Sequence, residues 1–143
     1  MAQAEFHEVL SVDKDKLFGT ITRYEDYPKF VEGCASVNIE KRIPGSVRVQ
    51  YHISMMSQDI HYTLDHKEDP ENGIVEWSLV ESNLFKKNDG KWVLKPTGAG
   101  KSDVLYAIEV EFKIPVPGFI LNRLVKGNLP GMVKSFEKQA KNT

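Results

Sequence analysis

The chain has 143 residues, 41% hydrophobic and 27% charged, which is the balance of an ordinary globular chain with one core; a single domain over residues 1–143 is expected. Nineteen Lys+Arg against 20 Asp+Glu leave a net charge of −1, which disfavours a general nucleic-acid-binding surface. Cys34 is the one cysteine, no apolar run is long enough to span a membrane, and Met1-Ala2-Gln3-Ala4-Glu5 lacks a signal-peptide pattern, so a soluble, cytoplasmic protein without disulfides is expected.

Residues 6–12 read as a first strand. Asp13 follows as a helix N-cap, because its carboxylate can accept from early helical amides, and residues 14–23 read as the helix. Tyr27-Pro28 restricts the next segment to a turn or short helix, with Phe30 and Val31 directed inward. From Ala35 the period changes to two. Val47, Val49, Tyr51, Ile53 and Met55 alternate with polar residues, and Ile60, Tyr62 and Leu64 do so after a turn at Ser57-Gln58. A tight hairpin pairing Met56 with Asp59 puts Ile53 opposite Tyr62 and Tyr51 opposite Leu64, so that one face of both strands is apolar. Asp69-Pro70-Glu71-Asn72-Gly73 reads as a turn, Val75, Trp77 and Leu79 as a strand, and Asn88-Asp89-Gly90 as another turn. Trp92 and Leu94 begin the next alternation; Val104, Tyr106, Ile108, Val110 and Phe112 carry the last. Residues 119–141 then read as an amphipathic helix with Leu121, Val125, Leu129, Met132, Phe136 and Ala140 on one face. Pro130 lacks an amide donor and should kink that helix or start a new one. The simplest assembly is an α+β fold: a curved antiparallel sheet wrapped around a long C-terminal helix, with two short helices after the first strand.

Lys95-Pro96-Thr97-Gly98-Ala99-Gly100-Lys101-Ser102 resembles a phosphate-binding loop superficially. Lys95 occupies the place of the first glycine, and the following segment alternates where a helix should start, so a hairpin loop and no ATP are expected. The histidines form no close ligand pair, and no metal or other cofactor is expected. His52 and His61 fall on the polar face of their hairpin; His66 falls on the apolar face, as a hydrogen-bonded core imidazole or a proton-transfer group. Cys34 reads as a small packed side chain. Tyr51, Tyr62, Trp77, Trp92 and Tyr106 share the apolar face, and their polar atoms need partners, which suits a ligand cavity better than a closed core.

Three segments resemble the START-like (SRPBCC) superfamily. They are Arg23-Tyr24-Glu25-Asp26-Tyr27-Pro28-Lys29-Phe30, then Phe85-Lys86-Lys87-Asn88-Asp89-Gly90-Lys91-Trp92-Val93-Leu94-Lys95-Pro96, and the tail from Pro115 through Leu129-Pro130. The nearest branch is the polyketide cyclase/dehydrase and lipid-transport group, which includes coenzyme-Q-binding proteins and ribosome-association toxins. The resemblance implies a helix-grip fold and a pocket for lipids, isoprenoid quinones or polycyclic ligands. It implies no shared catalytic set.

The expected function is therefore non-enzymatic binding or transport of a hydrophobic small molecule between sheet and C-terminal helix. Tyr51, Ile53, Tyr62, Leu64, Trp77, Leu79, Trp92, Leu94, Tyr106 and Ile108 would line the site, and Leu121, Leu124, Val125, Leu129 and Met132 would form a lid hinged at Pro117, Gly118, Gly127 and Pro130. One alternative is a cyclase/aromatase enzyme using pocket tyrosines and His66 as acid and base. Another is a toxin-like or membrane-docking module. From Phe119 onward Arg123, Lys126, Lys134, Lys138 and Lys141 oppose only Glu137, a local charge of +4 against −5 for the rest, which suits an anionic membrane or RNA surface.

Overall fold

The computed structural model describes residues 2–55, 57–121 and 129–142. Seven antiparallel strands form one sheet: β1 (Ala2–Leu10), β2 (Cys34–Ile43), β3 (Ser46–Met55), β4 (Gln58–Asp69), β5 (Ile74–Ser82), β6 (Phe85–Gly98) and β7 (Lys101–Phe112). Their order is β1-β7-β6-β5-β4-β3-β2, so the first strand returns to pair with the last and β2 is the opposite edge. The helices are α1 (Lys14–Thr22), α2 (Tyr27–Phe30), α3 (Gly118–Leu121) and α4 (Leu129–Lys141), and Tyr24–Asp26 forms a 3-10 turn. This is the helix-grip architecture that the alternating strands and amphipathic C-terminal segment predict.

Asp13 caps α1, its carboxylate accepting from the Asp15 amide at 3.1 Å and the Lys16 amide at 3.4 Å. α1 buries Leu17, Phe18, Thr20 and Ile21. Pro28 sits in the first turn of α2, where an amide donor is not needed. α4 buries Leu129, Val133, Phe136 and Ala140, a stripe at four-, three- and four-residue spacing. Its carboxyl-terminal half is pinned from two sides. The Ser11 amide donates to Glu137 Oε2 at 2.8 Å, and the Phe136 ring meets Tyr27, Phe30 and Trp92 edge-on at centroid distances of 5.2, 5.0 and 5.1 Å.

Several expectations are corrected. β1 lies at Ala2–Leu10, and Val12 is a buried residue of the connection, its carbonyl taking the buried Ser102 hydroxyl at 2.7 Å. The β3–β4 hairpin turns one residue earlier than expected, so that each partner shifts by two: Met55 lies opposite Gln58, Ile53 opposite Ile60 and Tyr51 opposite Tyr62. Ser57 takes the left-handed conformation (φ 63) that a tight connection demands, so Gln58 belongs to the strand rather than the turn. A two-residue shift preserves which face each side chain occupies, so the apolar face survives the correction. Asn88-Asp89-Gly90 is not a turn: β6 runs straight through it, Gly90 pairing with Trp77 and Ile108. The glycine is needed because the Trp77 ring lies on the strand. A Cβ at residue 90 would sit 2.3 Å from Trp77 Cζ2 and 2.6 Å from the Ala107 carbonyl oxygen. The 119–141 segment is described as α3 and α4, with Pro130 at the second residue of α4 and residues 122–128 outside the described set. Residues 95–102 form the β6–β7 hairpin end, with Gly100 at φ 70 and a strand, not a helix, behind it.

Candidate functional site

The concave face of the sheet does not close against the helices. Between them lies a cavity of about 110 Å³. The sheet supplies Cys34, Tyr51, Ile53, Tyr62, Leu64, His66, Val75, Trp77, Asn88, Trp92, Tyr106 and Ile108. Opposite them stand Ile21 from α1, Tyr24, Tyr27 and Val31 from the Tyr-Pro segment, and Met132 and Phe136 from α4. Among these side chains only His66 titrates near the neutral range in its ordinary state, and none is an Asp, Glu, Lys or Arg.

Aromatic rings make most of the wall. Tyr51 and Tyr62, opposite one another across β3 and β4, stack at 5.1 Å. Trp92 meets Tyr106 edge-on at 4.8 Å, and Trp77 leans on the same tyrosine at 5.5 Å. Tyr24 covers the His66 imidazole with its ring at 4.3 Å.

Hydrogen bonds fix the protonation of the buried imidazole. His66 Nδ1 lies 3.2 Å from the Val47 carbonyl, which can only accept, so Nδ1 carries the proton. Nε2 is then an acceptor and takes the Tyr51 hydroxyl at 3.0 Å. Burial pushes the His66 pKa down to about 4, so the ring is neutral in the folded protein near pH 7. Burial pushes the hydroxyls of Tyr24, Tyr27, Tyr51, Tyr62 and Tyr106 above the ordinary tyrosine range and the Cys34 thiol up to about 11. The thiol is therefore protonated and unreactive. Tyr24 donates to Glu68 Oε2 at 2.6 Å, Tyr27 to the Ile21 carbonyl, and Trp77 Nε1 to Asn88 Oδ1 at 3.1 Å. Among the described residues no group of three or more His, Cys, Asp or Glu side chains can hold a metal ion.

Of the sequence-predicted site residues, Tyr51, Ile53, Tyr62, Leu64, Trp77, Trp92, Tyr106, Ile108 and Met132 line this cavity. Leu94 and Leu129 do not: they are 1% and 8% exposed and belong to the packed core. Leu79 is half-buried against that core, away from the cavity. The Leu121 side chain, Leu124 and Val125 lie outside the described residues, as do Arg123, Lys126 and the hinge position Gly127. Sequence reasoning missed Tyr24, Tyr27, Val31 and Ile21 on the helical side, and Asn88, Val75 and Phe136. Tyr24 and Tyr27 carried a signal, since two tyrosines beside an inward Phe30 mark a buried turn.

The architecture defines the class: a START-like helix-grip protein with an internal aromatic cavity. The Zhui aromatase/cyclase from Streptomyces sp. R1128 has the same fold, with a TM-score of 0.87 at 12% identity, covering 98% of this chain and 93% of that one. A START superfamily protein from Mycobacterium smegmatis superposes with a TM-score of 0.84 at 17% identity over 98% of this chain and 97% of that one. The sequence profile of the polyketide cyclase/dehydrase and lipid-transport family matches residues 10–137, and the chain belongs to that family. It is 22% identical, over 99% of its length and 88% of the relative's, to the persistence and stress-resistance toxin PasT of Escherichia coli O6:H1 (strain CFT073).

Proposed function

We propose that residues 1–143 act as one unit that binds or transports a hydrophobic small molecule, a lipid, isoprenoid quinone or polycyclic compound, without chemically changing it. The observation that carries this reading is the cavity itself: an uncharged aromatic chamber, where close packing is the rule for protein interiors. Membership of the polyketide cyclase/dehydrase and lipid-transport family supports a hydrophobic ligand.

The titration of the polar groups argues against acid–base catalysis. An effective general acid or base titrates near the working pH. His66 is shifted down to about 4 and Tyr51 is shifted up, so each moves away from neutrality and holds its proton state. The volume constrains the ligand. About 110 Å³ is less than the volume, about 150 Å³, of an engineered apolar cavity that takes benzene, so one small ring is the most that fits without adjustment of the wall. A longer molecule needs the wall to move.

The exposed Lys134, Lys138 and Lys141 support a second reading, a basic docking surface on α4 for an anionic membrane or RNA. Lys134 and Lys141 both lie 3.9 Å from Glu137, which offsets part of that charge.

Organic extraction of the purified protein followed by mass spectrometry tests the first reading. An apolar molecule should co-purify, and adding it back should change Trp77 and Trp92 fluorescence. A clean extract, with no fluorescence response to any lipid fraction, refutes it.

A further inference from the structure

The cavity's polar atoms divide into two groups. Most are spent within the protein: Tyr24 on Glu68, Tyr27 on the Ile21 carbonyl, Tyr51 on His66, and His66 Nδ1 on the Val47 carbonyl. Three are not. The hydroxyls of Tyr62 and Tyr106 and the Asn88 amide nitrogen make no hydrogen bond among the described residues, although all three side chains line the cavity. Asn88 is 4% exposed and Tyr106 7%, and among the described residues no fully buried side-chain nitrogen or oxygen lacks a partner, so these three atoms keep their free surface for the cavity space, where water meets them until a ligand displaces it. The Asn88 assignment is not arbitrary. Trp77 Nε1 can only donate, so the oxygen of the Asn88 amide faces the indole and the NH₂ group is the free end. Trp77 also leans on Tyr106, which places the amide and that hydroxyl along one wall.

We infer that the cavity selects an uncharged ligand bearing carbonyl-type acceptors, held by the Tyr62 and Tyr106 hydroxyls and the Asn88 amide. This rests on the binding function proposed above and narrows its ligand class. A buried donor left without a partner costs free energy, so a pure hydrocarbon entering here strands three donors that a carbonyl would satisfy. A carboxylate fares worse for a different reason. No Lys or Arg is among the described lining residues, so an anion would surrender its hydration for neutral donors alone. The expected order of preference is ketone, then hydrocarbon, then carboxylate.

Three single-ring probes of similar size separate these cases: acetophenone, ethylbenzene and benzoate, titrated calorimetrically into the full chain at pH 7. Acetophenone should bind at least about tenfold more tightly than ethylbenzene, the scale of one or two neutral hydrogen bonds, and benzoate more weakly than either. In the Tyr62→Phe/Tyr106→Phe variant the acetophenone-to-ethylbenzene ratio should fall to within about threefold, because the rings stay and the donors go. The ratio is insensitive to general loosening, and each single variant reads it independently should the double variant not fold. Ethylbenzene binding as tightly as acetophenone, benzoate matching acetophenone, or a ratio unmoved in the variants would each overturn the donor assignment while leaving an apolar binding cavity intact. Failure of all three probes to bind folded protein would overturn this inference too, and together with a clean organic extract it would remove the binding function itself.

Discussion

His66 makes the stability of this protein depend on pH in a window that its carboxylates do not share. The imidazole is neutral and buried in the folded state, with a pKa of about 4 against 6.5 in the unfolded chain. The unfolded chain therefore takes up a proton first as the pH falls, and acid favours unfolding. The contribution is fully present above pH 6.5 and is lost as the pH drops from 6.5 towards 4. That shift implies a loss of about 2 kcal/mol by pH 5 and about 3 kcal/mol by pH 4, relative to neutral pH. The carboxylates held below their ordinary range act lower. Glu25 is held down by Arg42, Asp65 by Arg48, Asp69 by Asn72 and Glu109 by Lys87, and the stability each adds is present above the ordinary value, 4.5 for the glutamates and 3.8 for the aspartates, and is lost from there downward. Urea unfolding at half-unit steps from pH 7.5 to 4.5 measures the slope. His66→Leu should be less stable at pH 7, having lost the Tyr51 and Val47 bonds, yet nearly flat across the window. A flat profile in the wild type, or a slope retained in His66→Leu, would refute a neutral buried imidazole.

Substitutions at three further positions probe the packing around the cavity. Gly90→Ala pushes a methyl into the Trp77 ring and the Ala107 carbonyl; it should cost about 1–3 kcal/mol in thermal unfolding and alter the near-ultraviolet tryptophan signal as the Trp77–Asn88 bond breaks. Phe136→Ala removes a side chain 2% exposed that joins α4 to α2 and β6, and should cost about 3–5 kcal/mol in urea unfolding. Asp13→Ala should cost about 1 kcal/mol by the same measurement, and Asp13→Asn should recover most of it, because the asparagine oxygen caps the same amides.

Much of the architecture was legible because a sheet with one dry face writes its orientation into every second residue. Val47, Val49 and Tyr51, or Val104, Tyr106 and Val110, declare their face without any knowledge of their partners, and the structure buries each of them. Register is a weaker signal. Moving the β3–β4 pairing by two residues changes every neighbour yet leaves the apolar face apolar, so the alternation alone does not choose between Tyr51 opposite Leu64 and Tyr51 opposite Tyr62. The left-handed backbone at Ser57 makes that choice, and serine gives no warning of it. Asn88-Asp89-Gly90 misled for the opposite reason. Its residues favour turns, but Gly90 is there for its missing side chain, which lets an indole from the neighbouring strand lie flat against the backbone.

The cavity was legible only by half, and the missing half follows from what a cavity is. Periodicity reports the face a side chain occupies, not how deep it sits before meeting an opposing atom. Trp92 and Leu94 share the inner face of β6, yet Trp92 borders open space while Leu94 is sealed in the core at 1% exposure. The difference lies in what stands opposite. Tyr24 and Tyr27 stand there because Asp13 and Pro28 fix where α1 and α2 begin, and Phe136 and Met132 stand there because the α4 stripe docks on α1. The chemistry of the chamber is likewise a matter of pairing. Five cavity tyrosines look alike in the sequence, but Tyr24, Tyr27 and Tyr51 have spent their protons on Glu68, Ile21 and His66, and Tyr62 and Tyr106 have not. Only the assembled wall separates tyrosines that hold the protein together from tyrosines left to hold something else.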